Sequence, residues 1–403
     1  MTPPEPRYRW MIAGASAVML AITMGQLVNG LSPFVQPLET DFGATRAEVS
    51  LINTFGLVGL GLGGILMGRV TDRFGIRPVA MTGAVATGLT ITAASLATQL
   101  WHLYALFFLA GAFGGGALFA PLMALVGGWF RSGAGLAIGL VSAGQAVGQG
   151  GMPLASAYLI QGMGWRDAFL TLGLVSTVVL VPLARLIRRA PPAPAPVAGP
   201  AADRTLGAMP AVLVMGAAVL MCCSLMSVPL MHLVPFAQDC GIAVTDAGGI
   251  VVVMMLAAIA GRVAFGQLAD WIGAIPAYLA ASLWQTGLVF LFTSFTTLDQ
   301  LMLFAPVYGF GYAGVMTGVL VTVRKITPPA SRATCSGFIF AFAWAGHGLG
   351  GATGGYLYDL TATYDLTFFA AGLTGVVNLL IVGTLGVYLA RGRIAGPGAA
   401  EPA

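Results

Sequence analysis

One arginine inside a long apolar run could bind a negatively charged solute. Arg262 lies sixteen residues after Asp246 and eight before Asp270, with no other charge between them. At about 1.5 Å of rise per helical residue, it is roughly 12 Å from the end of the run. A cation costs about 2.5–3.5 kcal/mol at such a depth, and no acid lies in the core of an apolar run to pair with it. A mobile carboxylate could take that place, because a guanidinium binds it through two parallel hydrogen bonds. The side chain could otherwise extend to the nearer surface or cap backbone carbonyls.

A second candidate is His347, near the middle of another apolar run. It lies fifteen residues after Arg332 and twelve before Asp359. An imidazole there can donate to a carboxylate and can gain or lose a proton near neutral pH. A structural histidine, bonded to a neighbouring hydroxyl or carbonyl, is the competing interpretation.

Polar residues also recur at helical spacing within the apolar runs. Residues three or four apart lie on one helix face, so such pairs could offer a solute hydrogen bonds without fixed charge. Bonding between helices is the competing use of each pair. The pairs are Tyr308 with Tyr312, Gln145 with Gln149, and Gln26 with Asn29.

The elements that position these residues must be membrane-spanning helices. Hydrophobic residues make up 58% of the 403-residue chain, charged residues make up 8%, and the mean hydropathy is +0.89. About 20 apolar residues cross a bilayer, and inside lipid a continuous run without a period of two must be helical. Twelve such runs predict an all-α membrane protein with twelve transmembrane helices. They cover about 10–35, 46–69, 78–97, 101–126, 134–160, 166–187, 207–235, 246–269, 275–294, 300–323, 333–358 and 366–389.

Charged residues between the runs predict the orientation. If both termini share one side, that side holds fifteen of the eighteen basic residues, whereas the other holds Arg46, Arg166 and nine acids. Positive residues collect in cytoplasmic loops, so we expect a protein of the bacterial inner membrane with both termini in the cytoplasm. The net charge of +4 and the pI near 9.0 reflect this topology rather than nucleic-acid binding.

A repeated spacing, Gly-x-x-x-Asp-x-x-Gly, occurs twice at a separation of 198 residues and indicates a duplicated half. In this register Gly64 corresponds to Arg262, so the arginine is not part of the shared scaffold. Glycines that crowd the fifth and eleventh runs could let the halves move, or could pack helices within one half. The copies are Gly68, Asp72 and Gly75, extended by Arg73 and Arg77, and Gly266, Asp270 and Gly273.

The composition between the runs predicts the domain boundaries. A six-helix bundle over 1–189 is followed by a Pro/Ala-rich stretch at 190–204, which is expected to be an extended cytoplasmic linker. A second, pseudo-symmetric six-helix bundle covers 205–390. The tail at 391–403 contains Gly and Pro and is expected to be disordered in the cytoplasm.

The stretch GRVTDRFGIRP at 68–78 resembles the signature loop of the major facilitator superfamily, and the second copy is a weaker match. The resemblance implies two six-helix bundles around a central cavity that opens alternately to each side. Three further stretches are similar to bacterial monocarboxylate porters and the oxalate:formate antiporter: PLETDFGATRAEVSL at 37–51, GWF at 128–130 and GWRDAF at 164–169. In that group an arginine of the eighth helix recognises the substrate carboxylate, and Arg262 matches its position. Phe119 matches a point in the fourth helix where the family often has an aromatic residue.

The sequence departs from these relatives at positions that matter for coupling. Ala258 replaces an aspartate of the animal proteins, and the lysine of their first helix and the antiporter's lysine of the eleventh helix are missing. One strong cation suits a monoanion. The sequence therefore predicts a secondary carrier of a small monocarboxylate such as lactate or pyruvate, with proton symport as the preferred coupling. Exchange of organic anions, or export of an aromatic or drug-like acid, stays open as the alternative.

Other functional classes fit the sequence less well. An intramembrane enzyme needs clustered nucleophiles, acids or metal ligands, whereas the three histidines lie far apart. A channel usually lines its pore with residues from several subunits, and a duplicated single chain fits a monomeric carrier better. No cofactor or metal is expected. The expected partners are a small organic anion, a proton and the lipid bilayer.

Overall fold

The computed structural model describes residues 7–130, 132–191 and 207–394. These ranges are helical, with short turns and loops between the helices. The helices are α1 (Tyr8–Met24), α2 (Val35–Phe42), α3 (Arg46–Phe74), α4 (Ile76–Ala94), α5 (Leu100–Leu109), α6 (Gly116–Trp129), α7 (Ala134–Leu186), α8 (Ala208–Asp239), α9 (Val244–Ile272), α10 (Ala274–Val289), α11 (Leu298–Ile326), α12 (Arg332–Thr361) and α13 (Asp365–Ile394).

These helices make twelve membrane spans. A π-helical turn at Gly25–Asn29 and a 3₁₀ turn at Ser32–Phe34 join α1 and α2 into one span, and a π-helical turn at Ala110–Gly115 joins α5 and α6. α7 bends at Gly164, where φ is 82°, and supplies two spans. The remaining eight long helices supply one span each. The predicted fold class, an all-α protein with twelve helices in two halves, is confirmed.

Matching glycine turns close matching helix pairs in the two halves. Gly75 between α3 and α4 has φ 89°, and Gly273 between α9 and α10 has φ 98°. Glycine enters this region of the backbone map easily, whereas other residues are strained there. The repeated signature glycine is therefore explained by a turn that both halves need.

Glycines of α7 and α12 also pack helices inside each half. Gly148 lies directly against the backbone of Ala21 in α1, and Gly350 lies against Ser224 of α8 in the same way. Small residues allow this close approach. Of the two interpretations of these glycines, packing within one half therefore holds for Gly148 and Gly350, because each contacts a helix of its own half.

Two predicted boundaries fall close to the limits of the described chain. Most of the linker predicted at 190–204 lies outside the described residues, as do Arg131 and the part of the tail at 395–403. α13 continues to Ile394, past the predicted start of the tail at 391.

Candidate functional site between the two halves

Two pairs of helices join the halves at the face where α1 begins and α13 ends, which we name the terminus side. α3 meets α12 and α7 meets α9, and we name these contacts the α3–α12 seam and the α7–α9 seam. The backbones touch through glycine in both. A Cβ at Gly337 would overlap the carbonyl oxygen of Gly64, and a Cβ at Gly139 would overlap that of Arg262. Both residue pairs are related by the same offset of 198, so the duplication produced the two seams.

Each seam is closed by a signature aspartate that caps a helix of the other half. Asp72 Oδ2 accepts from the backbone N and the hydroxyl of Thr334, at 2.8 and 2.6 Å, in the first turn of α12. Asp270 accepts from the backbone N of Gly135 and of Leu136, both at 2.8 Å, in the first turn of α7. A carboxylate at a helix N-terminus satisfies unpaired amides and interacts favourably with the helix dipole. The two carboxylates therefore stabilise closure of the terminus side.

The other signature residues either allow this contact or face outward. Gly68 and Gly266 lie directly against the backbones of α12 and α7, so neither position has room for a side chain. Arg73 and Arg77 are exposed on the terminus side. The glycines thus belong to the seams, while the arginines are placed at the surface.

A third polar contact between the halves, made by Arg324, was not predicted from the sequence. At the end of α11, Arg324 donates from Nε to the carbonyl oxygen of Gly127 and, at 2.8 Å, from Nη2 to that of Phe130 at the end of α6. The last carbonyls of a helix lack helical partners, and a cation satisfies them. A basic residue after a membrane span is expected on topological grounds alone, so the sequence held no signal for this contact.

On the opposite side of the molecule, glycines of α7 and α12 have open space beside them. A Cβ at Gly150 or Gly151 of α7, or at Gly348 of α12, would meet no atom within 4 Å, in contrast to the glycines of the seams. The close contacts between the halves thus lie on the terminus side, and we infer from the open space at these three glycines a cleft that opens to the opposite side.

Arg262 lies on the α7–α9 seam with its guanidinium buried. The residue is 7% exposed, and Nη1 donates to the backbone oxygen of Ser142 at 3.0 Å and to the hydroxyl of the same serine. Nε has no hydrogen-bond partner, and Arg262 forms no ion pair with a residue that the structure describes. Ser142 lies eight residues into α7, so the charge stays at depth and does not extend to the surface. The carbonyl contact is the capping role that the sequence left open, but it leaves Nε without an acceptor.

Of the two predicted tyrosines on α11, one lies near this arginine. Tyr312 is within electrostatic range of the Arg262 guanidinium, and its ring centre is 5.9 Å from that of Tyr308. Tyr308 is fully buried inside the second half, with its ring 4.7 Å from that of Phe292, and its hydroxyl has no partner. Tyr312 can therefore line the site, whereas Tyr308 supports it from the core of the second half.

Aromatic residues join the halves beside the cleft. Phe119 of α6 packs edge-on against Phe340 of α12, with ring centres 4.8 Å apart, and its ring lies 6.3 Å from that of Trp344. His347 follows on α12 toward the opposite side; it is half-buried, and its ring is 5.8 Å from Trp344. Phe119 is thus buried between the halves, and Trp344 links it to the predicted histidine.

The imidazole of His347 is held by its own helix. Nδ1 lies 3.2 Å from the backbone oxygen of Ala343. Because a carbonyl oxygen only accepts, we assign the proton of the neutral ring to Nδ1. In that tautomer Nε2 carries a lone pair and cannot donate, whereas the imidazolium donates from both nitrogens.

The predicted amide pairs are placed differently from one another. Gln26 donates to the hydroxyl of Ser176 at 2.8 Å inside the first half, while Asn29 is exposed. The prediction that these two share a cavity face is wrong, because the π-helical turn at Gly25–Asn29 rotates less per residue than an α-helix does. On α7, Gln145 is buried and Gln149, one turn nearer the opposite side, is half-buried.

Comparison with known proteins identifies the family. The family model described as Major Facilitator Superfamily matches residues 12–306 and 213–401. The chain belongs to the major facilitator superfamily. Members of this superfamily are transporters rather than enzymes, so the chain is a multi-pass membrane protein and a secondary transporter of a small molecule.

Similar members of the superfamily include monocarboxylate transporters. The chain is 28% identical over 377 residues to monocarboxylate transporter 13 of Rattus norvegicus, covering 92% of this chain and 87% of the relative. It is 26% identical over 388 residues to monocarboxylate transporter 11 of Homo sapiens, covering 92% and 81%. The resemblance to monocarboxylate porters that the motifs indicated is confirmed.

Solved structures of the superfamily share the fold. The proton:xylose symporter XylE bound to 6-bromo-6-deoxy-D-glucose matches with a TM-score of 0.78 at 14% identity, over 94% of this chain and 96% of that chain. The human organic anion transporter MFSD10 matches with a TM-score of 0.72 at 16% identity, over 94% and 100%. At these identities the likeness concerns the fold alone, and it agrees with two six-helix halves.

Proposed function

We propose that this transporter moves a small monocarboxylate across the bacterial inner membrane by alternating access, with Arg262 binding the carboxylate. The observation that carries the proposal is a buried guanidinium whose Nε has no partner. Ala258, buried one turn earlier on α9, provides no acid to neutralise it. An unpaired buried cation is costly, and a carboxylate that enters through the cleft would supply both the charge and the acceptors. The names of the similar monocarboxylate transporters agree with this chemistry.

The surplus of basic residues supports a cytoplasmic location for the terminus side. In that orientation the cleft is open to the outside. Release into the cytoplasm then requires both seams to open, which breaks the bonds made by Asp72, Asp270 and Arg324. The halves would rock as two bodies, because the packing inside each half is separate from the seams.

Proton symport is the coupling that His347 supports best. A carboxylate accepts hydrogen bonds and cannot donate one, so it binds Nε2 only when the imidazole carries a second proton. Protonation and anion binding therefore strengthen each other, as thermodynamic linkage requires. Solute and proton would bind together from the outside and leave together.

Uptake by the purified protein in proteoliposomes tests the role of Arg262. We expect saturable uptake of labelled lactate or pyruvate that an inward proton gradient increases. Arg262→Ala should lower kcat/KM by about 100-fold, because truncating one partner of a buried charged hydrogen bond costs about 2–5 kcal/mol. Arg166→Ala is the control, since Arg166 is on the opposite side and pairs with Asp41. Unchanged uptake by Arg262→Ala would refute the carboxylate assignment.

Exchange of organic anions is the second candidate, and the site favours it in one respect. A bound anion is the partner that neutralises Arg262, so the loaded carrier should change conformation more readily than the empty carrier. Preloading vesicles with unlabelled substrate would then accelerate uptake strongly without a pH gradient. A proton symporter, in contrast, accumulates substrate in empty vesicles when the gradient is present.

A further inference from the structure

We propose that Ser142 is a positioning residue that presents the Nε/Nη2 edge of Arg262 to the carboxylate, so that the anion site is complete only while the α7–α9 seam is closed. This inference rests on the proposed function and adds to it a contribution from the other half of the molecule. Its consequence is that the carrier has a higher affinity for the solute from the cleft side than from the terminus side.

The backbone contact of the α7–α9 seam sets the position of Ser142. The carbonyl of Arg262 lies against Gly139, and Ser142 is three residues further along α7, on the same helix face. Nη1 donates to both the backbone oxygen and the hydroxyl of this serine. Two acceptors at one nitrogen restrict rotation of the guanidinium, so its plane is fixed by a helix of the other half.

Holding Nη1 leaves the other edge of the guanidinium for a ligand. Nε is buried and has no partner. Nε and Nη2 together form a side-on fork that matches the two oxygens of a carboxylate. A buried donor without an acceptor is destabilising, and a bound carboxylate would remove that cost. The geometry therefore favours an anion that completes the bonds of Arg262 and leaves Ser142 in place.

The polar pair is not part of the duplicated scaffold. In the α3–α12 seam, the residues related to Arg262 and Ser142 by the offset of 198 are Gly64 and Phe340, and neither has a polar side chain. Phe340 packs there against Phe119. The pair thus occurs in one seam alone, at a contact that must break when the terminus side opens.

Opening of the seam would separate Ser142 from the guanidinium. The fork then loses its fixed orientation, and the solute is released on the terminus side. We take the bonds to Ser142 to contribute, together, the binding free energy of one charged hydrogen bond. Binding from the cleft side should then be about tenfold tighter than binding from the terminus side.

Ser142→Ala keeps the backbone oxygen and removes the hydroxyl. We expect the cleft-side KM for lactate to rise about fivefold with little change in kcat, and the terminus-side KM to stay the same. Zero-trans influx and efflux in proteoliposomes of uniform orientation measure the two values. Ser142→Thr restores a hydroxyl and should recover most of the cleft-side affinity.

The matched control is Ser156→Ala, because Ser156 is also buried on α7 and its hydroxyl has no partner. A double-mutant cycle with Arg262→Lys, measured by lactate binding, separates a positioning role of Ser142 from a packing role. Lysine has no fork to orient, so Ser142→Ala should reduce the lactate affinity of the Arg262→Lys variant only a little further. Two outcomes would overturn this inference and leave the proposed function standing. In the first, the cleft-side KM is unchanged or lower in Ser142→Ala. In the second, it rises equally in Ser156→Ala. Unchanged lactate uptake by Arg262→Ala would instead remove the proposed function itself.

Discussion

At the scale of single residues, the two candidate ligands of the solute are each fixed by a backbone carbonyl. The oxygen of Ser142 holds Nη1 of Arg262, and the oxygen of Ala343 holds Nδ1 of His347. The nitrogens that remain decide what can bind. Nε of the arginine donates at any physiological pH, whereas Nε2 of the histidine donates only after it gains a proton.

His347→Gln should uncouple uptake from the proton gradient. In the unmodified protein we expect the KM for lactate to fall about three- to tenfold as the external pH falls from about 7.5 to about 5.5, because protonation and binding are linked. The variant should show a flat profile and should still exchange lactate at equal pH, since Arg262 is intact. His232→Gln is the control, because His232 Nε2 lies 3.1 Å from the oxygen of Gly351 inside the second half. A pH profile unchanged by His347→Gln would show that the proton binds elsewhere.

The sequence predicted a functional residue only where its residue type was unusual for an apolar helix. Arg262 was visible because a charge inside an apolar run is costly and uncommon. Ser142 was not, because a serine fits any helix and gains its role only where α7 crosses α9. Gln26 was misplaced for another reason: residues three apart share a face in an α-helix, whereas the chain forms a π-helical turn at Gly25–Asn29.

At the scale of helices, the seams combine close backbone contact with capped helix ends. Glycine positions bring the helices together without polar groups, while Asp72 and Asp270 bind the first amides of α12 and α7. Those amides can bond to water when a seam opens, so opening costs far less than leaving a buried polar group without a partner would. Such a balance allows two arrangements of comparable free energy.

Asp72→Asn and Asp270→Asn should each shift the empty carrier toward an open terminus side. The variants keep a short polar cap but lose its charge, and a charged cap contributes about 1–2 kcal/mol, or about a 5- to 30-fold change in the ratio of states. Spin labels at Met11 and Met209, exposed near the starts of α1 and α8 in a cysteine-free background, would report longer distances. Asp299→Asn, in the first turn of α11 on the opposite side, is the control. Unaltered distances in both signature variants would contradict a closing role.

A methyl group on a seam glycine should prevent closure of the terminus side. Gly337→Ala and Gly139→Ala would each place a Cβ into a carbonyl oxygen of the other half. We expect lactate binding from the cleft side to fall about tenfold or more, because overpacking of this kind costs about 1–3 kcal/mol. Gly150→Ala is the matched control, since its Cβ would meet no atom within 4 Å. Equal binding in all three variants would mean that the seams do not close during transport.

The sequence predicted the helices themselves, but it did not predict which helices pack against each other. Each span is long and apolar, so its existence follows from the bilayer alone. The pairing of α3 with α12 depends on Gly64 and Gly337, which are ordinary glycines in a chain that has 57 of them. The repeated aspartates indicated a duplicated half, but they did not indicate which helices pair between the halves.

At the scale of the whole molecule, duplication has produced a symmetric scaffold around an asymmetric site. The two seams match residue by residue at an offset of 198, whereas Arg262 has Gly64 as its counterpart. Symmetry of the scaffold allows the halves to rock with similar contacts on either side. Under the proposed function, the unmatched arginine would give the solute one defined place to bind.

The orientation of the molecule can be tested at Cys240, which follows α8 on the opposite side. Burial and the negative charge of Asp239 raise the pKa of the Cys240 thiol above its ordinary value, so the reactive thiolate is scarce near neutral pH. An impermeant maleimide added to intact cells should label Cys240 slowly. The labelling rate should rise about tenfold for each pH unit while the pH is below the pKa of the thiol. Asp239→Asn should accelerate labelling at fixed pH, and Cys240→Ser should abolish it. Labelling that requires broken cells would place this side in the cytoplasm.

The proposed symport mechanism has a consequence for how the membrane potential acts on transport. Empty, the site carries one positive charge, on Arg262; with a monoanion bound and a proton on His347, it carries one again. An inside-negative membrane potential would act equally on both forms, so the pH difference alone would set how far the solute accumulates. Without the histidine the loaded form would be neutral, and a potential of about 100 mV would bias only the empty form, by up to about 2.3 kcal/mol. Under the proposed symport mechanism, the imidazole would therefore decide whether the membrane potential affects accumulation of the solute.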